Sequence, residues 1–73
     1  MTSKYAVVIE KSRTGYGAYV PDLPGCVAAA PTLEETEKLI REGIEFHLEG
    51  MREDGEEIPA PTTFAEMVEV TAA

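Results

Sequence analysis

The feature that most constrains this chain is the segment Pro21-Asp22-Leu23-Pro24-Gly25, which sets two prolines and a glycine between stretches of β-forming residues. Proline cannot donate a ladder hydrogen bond, so Pro21 ends any strand before it. Pro24-Gly25 fits the two central positions of a type II turn, with φ preset at the first and positive φ accepted at the second. The chain is therefore expected to double back here. Upstream, Tyr16-Gly17-Ala18-Tyr19-Val20 alternates as a strand does. Before it, Tyr5-Ala6-Val7-Val8-Ile9 places Tyr5, Val7 and Ile9 on one face at a period of two. The polar run Lys11-Ser12-Arg13-Thr14-Gly15 between them suits a hairpin loop that needs a glycine at positive φ. Downstream, Cys26-Val27-Ala28-Ala29-Ala30 reads as a third, weaker strand, completing a three-stranded antiparallel meander.

Pro31-Thr32 opens the longest element. Thr32 can cap the first helical amides, and Glu35 can reach back to the Thr32 amide as a capping box. At 100° per residue, Leu33, Ile40, Ile44, His47, Leu48 and Met51 fall within one broad arc, the stripe by which a helix covers a sheet. The helix is expected to run to about Asp54, with Gly55 just past its end. Ile58-Pro59-Ala60-Pro61-Thr62-Thr63 has prolines at alternate positions and reads as an extended surface connector. Phe64 to Val70 alternates imperfectly and is expected to include a short last strand after one turn of helix. The predicted fold class is α+β, in the order β-β-β-α-β, with the helix packed on one sheet face.

Seventy-three residues allow one domain, 1–73, with no room for a second. A domain of this size buries only about 60% of the surface its unfolded chain exposes, so oligomerisation is an expected source of further stability. The net charge is −8, the wrong sign for binding nucleic acid by phosphate neutralisation. Ten of the acids and three of the bases lie between Glu34 and Glu57, so a basic partner is the better expectation. One cysteine, Cys26, makes no internal disulfide, and Cys26 with the single His47 makes no zinc site. The N-terminal apolar stretch is too brief for a signal peptide, and nothing approaches the roughly 18 apolar residues of a membrane span. These features predict a cytoplasmic protein without a membrane or cofactor role.

Glu35, Glu42 and Glu49 repeat every seven residues and Glu53 joins them, an acidic ridge away from the apolar stripe. It reads as a solvated face, helped by the pairs Glu34 with Lys38 and Glu37 with Arg41, or as a docking surface for a cationic partner. Between ridge and stripe lie Leu39 and Phe46, flanked by Gly43 and Gly50. Each helical glycine costs roughly 1 kcal/mol relative to alanine, which suggests close approach of another backbone. Either the C-terminal connector or Phe64 covers this strip, or a second subunit does. The sheet face opposite the helix, with Tyr19, Ala6 and Val8, is also left to pair with another chain. His47 lies in the buried arc with no nucleophile predictably beside it. Asp22 fits a turn aspartate better than half of a metal site, and Gly15 and Gly17 open no helix and form no phosphate loop.

The run Gly15-Tyr16 into Tyr19-Val20-Pro21-Asp22-Leu23-Pro24-Gly25-Cys26, then Thr32-Leu33-Glu34-Glu35, Glu42-Gly43-Ile44, His47-Leu48-Glu49 and Ile58-Pro59-Ala60-Pro61, resembles the HicB antitoxin family. The resemblance covers about Lys4 to Thr62. It departs at Ala30, where the family often has glycine, at Gly43, where alanine is usual, and at Leu39, where asparagine is frequent. The resemblance implies a partial ribonuclease-H-like or double-stranded-RNA-binding-like domain and a non-catalytic antitoxin that neutralises HicA, a small basic toxin ribonuclease. It also implies self-association, as a dimer or tetramer. Family members commonly bind operator DNA through an added C-terminal segment, so direct DNA binding is not expected of these residues. Partner contacts are accordingly expected at Asp22, Glu35, Glu42, Glu49 and Glu53, and self-association at Tyr19, Leu39, Gly43, Phe46 and Gly50. A degenerate nuclease using Asp22, His47 or the helix glutamates is the remaining reading, and no convergent metal-ligand set supports it.

Overall fold

The computed structural model describes residues 3–72. Three strands, β1 (Val8–Lys11), β2 (Tyr16–Tyr19) and β3 (Val27–Ala30), precede one helix, α1 (Leu33–Glu53). The strands form an antiparallel sheet in the order β1-β2-β3. Helix α1 lies across β3 and β2. This is the expected α+β meander and helix.

β1 begins three residues later than its alternation suggests, because its partner ends first. Val8 stands opposite Tyr19, the last residue of β2, and beyond it the chain turns at Pro21. Tyr5 and Val7 run past the end of the ladder while still packing on the core.

The Pro21–Gly25 segment folds as two linked turns. Leu23 N–H donates to Val20 O at 3.0 Å, Cys26 N–H donates to Leu23 O at 3.1 Å, and Gly25 has φ +87°, as a type II turn requires. Leu23, with 0% of its surface exposed, is driven into the centre of the core with Ala18, Val20, Cys26 and Ile40. At the other end of the sheet, Ser12 N–H donates to Gly15 O at 2.8 Å to close the first hairpin. Gly15 is needed there for room, since a Cβ would overlap Ala30 O and stand 2.9 Å from Pro31 Cα.

Thr32 caps α1 by accepting from Glu35 N–H at 3.2 Å. The reciprocal bond differs from a standard capping box: Thr32 Oγ1–H donates to a Glu35 carboxylate oxygen at 3.0 Å. Thr36 is wholly buried where α1 crosses the sheet, and its hydroxyl donates to Thr32 O at 2.8 Å. Glu34 and Glu35 in the first turn and Arg52 in the last complement the helix dipole. The helix ends in a Schellman motif, with Gly55 N–H bonded to Arg52 O, Glu56 N–H bonded to Met51 O, and Gly55 at φ +73°. Leu33, assigned by periodicity to the buried arc, is 38% exposed, because it opens the helix beyond the edge of the core.

The expected C-terminal turn of helix and short strand do not form. Residues 56–72 have neither helix nor strand, and 64–72 are exposed throughout. The reason lies in their pattern. One alternate set is Phe64, Glu66, Val68 and Val70, the other Ala65, Met67 and Glu69, so burying either face of a strand would bury a carboxylate. The connector before them is held at two points: Tyr5 Oη–H donates to Pro59 O, and Asp22 holds Thr62 and Thr63.

Candidate functional site

Asp22 follows Pro21 in the first of the two linked turns, and its carboxylate is fully engaged within the chain. One oxygen accepts from the backbone N–H groups of Thr62 at 2.9 Å and Thr63 at 3.0 Å. The other accepts from their hydroxyls at 3.1 and 2.8 Å. The Thr63 amide and hydroxyl, aided by those of Thr62, hold the carboxyl below its usual range against the opposing effect of desolvation. Sequence reasoning placed Asp22 in a turn but missed these partners. Two adjacent threonines after Pro-x-Pro, offering two amides and two hydroxyls, were the available signal.

The expected self-association strip is uncovered within the chain. Leu39 is 44% and Phe46 69% exposed, and Phe64, one of the two candidates to cover them, is itself 78% exposed. Gly43 faces Cys26, whose Sγ would stand 3.8 Å from an added Cβ, an ordinary contact, so packing inside the monomer does not require glycine there. Gly50 meets nothing within 4 Å, and no close backbone accounts for it inside the monomer.

These residues wall an open groove of about 910 Å³ between α1 and the Pro24–Val27 segment. Leu39, Gly43, Phe46 and Gly50 line it from the helix, Pro24 from the turn and Val27 from the start of β3. The acidic side chains of Glu42, Asp54 and Glu56 line it too. The structure thus merges part of two surfaces that sequence reasoning kept separate. Glu42 of the acidic ridge shares the groove with the apolar strip, whereas Glu35, Glu49 and Glu53 are exposed outside it. Asp54 and Glu56 were not anticipated as site residues, because their place depends on the end of α1 standing across the groove from Pro24 and Gly25.

On the sheet face away from α1, Val8, Tyr19 and Val27 stand in register across all three strands. Tyr19 is 43% and Val27 68% exposed, so this row is apolar and open, as expected for that face. His47 is half-buried in the groove wall. Burial pushes the Cys26 thiol up, which disfavours the thiolate and fits a packing role. Among the described residues no three His, Cys, Asp or Glu side chains are grouped to share a metal ion, and no helix is long and apolar enough to cross a membrane.

Residues 5–72 match the family described as HicB_like antitoxin of bacterial toxin-antitoxin system. The chain is 51% identical over 55 residues to a 14.9 kDa protein of the rep-hol intergenic region of Haemophilus phage HP1, covering 75% of this chain and 41% of that one. It is 47% identical over 56 residues to a UPF0150 protein of Archaeoglobus fulgidus, covering 73% of this chain and 81% of the relative. With Antitoxin HicB 2 of Photorhabdus laumondii it shares 32% identity over 71 residues, 96% of this chain and 51% of the antitoxin. The chain therefore spans about half or less of the phage protein and of that antitoxin. Its structure superposes on a chain of the HicA3 and HicB3 toxin-antitoxin complex with a TM-score of 0.70 and 30% identity, covering 82% of this chain and 70% of that one. On this evidence the chain belongs to the HicB-like antitoxin family.

Proposed function

We propose that this chain is a non-catalytic antitoxin that binds and neutralises a small basic toxin ribonuclease of the HicA type. The observation that carries the reading is the groove between α1 and the Pro24–Val27 segment, where exposed Leu39 and Phe46 sit with Glu42, Asp54 and Glu56 on a chain of net charge −8. Apolar surface supplies affinity, while the negative field speeds encounter with a cationic protein and rejects anionic ones. The likeness to a chain of the HicA3 and HicB3 complex supports a partner of that class. Partner contacts are assigned to Glu42 first, with Glu35, Glu49 and Glu53 steering from the exposed ridge. Asp22 contributes by fixing the connector.

The test is enzymatic. Tagged protein is used to isolate a small basic partner at low salt, and the partner is purified away and assayed on RNA. Antitoxin function requires that the isolated partner cleave RNA and that one equivalent of this chain stop it, less effectively as salt is raised. RNA cleavage that persists at excess antitoxin refutes the proposal.

The open Val8–Tyr19–Val27 row favours a second reading, self-association without a toxin, in which Tyr19 joins Leu39, Gly43, Phe46 and Gly50 at contacts between copies. Light scattering at tens of micromolar separates the two, since a monomer at that concentration removes the second.

A further inference from the structure

β3 is an outer strand whose backbone is satisfied on one side only. Val20 N–H donates to Cys26 O at 3.2 Å. Antiparallel partners alternate between bonded and non-bonded pairs, so Ala28 and Ala30, opposite Ala18 and Tyr16, direct their N–H and C=O groups toward β2. Those of Val27 and Ala29 point away from the sheet, where no further strand lies among the described residues. Free edges are usually blunted by charge or proline. The opposite edge, β1, carries Glu10 and Lys11, but β3 reads Val-Ala-Ala-Ala and has neither. The groove with exposed Leu39 and Phe46, lined by Gly43, Gly50, Glu42, Asp54 and Glu56, meets this bare edge at Val27, the first residue of β3.

We propose that the β3 edge and this groove form a strand-addition site for an extended segment of the partner in which basic and β-branched residues alternate. The partner backbone pairs with the outward groups of Val27 and Ala29. Its Arg or Lys stems lie over Leu39 and Phe46, with the cationic ends at Glu42, Asp54 and Glu56, while the alternate side chains extend the Val8–Tyr19–Val27 row. A second copy of this chain is the poorer occupant, because two chains of charge −8 repel and would bring acidic walls together. The proposal rests on the antitoxin reading for its choice of a basic protein, and adds where and how that protein is held.

The test uses the full chain, isotope-labelled for NMR, and the peptide Arg-Val-Arg-Val-Arg-Val-Arg. Saturable shifts at the amides of Val27, Ala29, Leu39, Gly43 and Phe46 are expected, with binding weakened about tenfold between low and high salt. A peptide of the same charge, N-methylated at alternate residues, should bind at least about tenfold more weakly, because it cannot pair with an edge. Ala29→Pro, which removes an outward donor without touching the β2 ladder, should have the same effect, while Lys11→Pro on the opposite edge should not. Equal binding of the two peptides, absence of binding, or shifts confined to Glu35, Glu49 and Glu53 overturns strand addition. So does a concentration-dependent shift of β3 without peptide, which assigns the edge to a second copy. The peptide experiment contains no toxin, so its failure leaves the RNA-protection assay standing, and the converse also holds.

Discussion

Two strips of the same helix, one residue apart in sequence, are finished to different degrees. Thr36 and Ile40 face the sheet with 0% and 3% of their surface exposed, and the Thr36 hydroxyl has its acceptor in the carbonyl of the capping Thr32. Leu39 and Phe46, rotated toward the outer side of β3, remain 44% and 69% exposed with no cover from the chain that follows. The first strip holds the fold together. The second adds little to it and keeps its apolar area for something else. A thin core can support an unfinished face only if the finished one is closed tightly, and the two linked turns that drive Leu23 inward do this.

The contrast can be broken most forcefully at its buried end. Leu23→Ala removes a side chain with no exposed surface and should cost about 2–5 kcal/mol in urea unfolding. A loss under about 1 kcal/mol would mean the core is not centred there. Asp22 tests the border between the two regions. Its carboxyl is held below the ordinary range in the folded chain, so its contribution is complete above the unfolded value of 3.8 and disappears as pH falls through the folded one. Thr62 and Thr63 amide resonances should lose their protection in that acid range, with the Val20 and Cys26 signals unchanged. Asp22→Asn should leave those threonines without the pH response. The smallest effect is expected from Phe46→Ser, within about 0.5 kcal/mol of the parent in stability. A larger loss would place Phe46 among the residues that hold the monomer together.

Most of the fold was legible because its punctuation is local. Pro21, Pro24-Gly25, Thr32 and Gly55 each act through the backbone of their own neighbourhood, and each boundary they set appears within a residue of its expected place. The start of β1 was less legible because it depends on where a different strand ends. The C-terminal strand was misread because apolar content was weighed above the glutamate on each alternate face. For the groove, sequence reasoning identified Leu39, Gly43, Phe46, Gly50 and Glu42 on one element. It could not place Asp54 and Glu56 on the same groove as Pro24 and Val27, since that arrangement arises only when the helix folds back over a segment nearly thirty positions upstream.

The clamp of Thr62 and Thr63 by Asp22 has a consequence for the order of folding. The hairpins and the β3–α1 crossover join neighbours in sequence, so their loops close at low entropic cost and their assembly should be rapid. The side-chain bonds of longest span, Tyr5 to Pro59 across 54 positions and Asp22 to Thr63 across 41, both fasten the connector. Closure over such distances has to await a formed core. Of the segments held by hydrogen bonds, the connector should therefore be the last to settle and the first to exchange its amide protons, detaching and reseating many times within the lifetime of an intact sheet and helix.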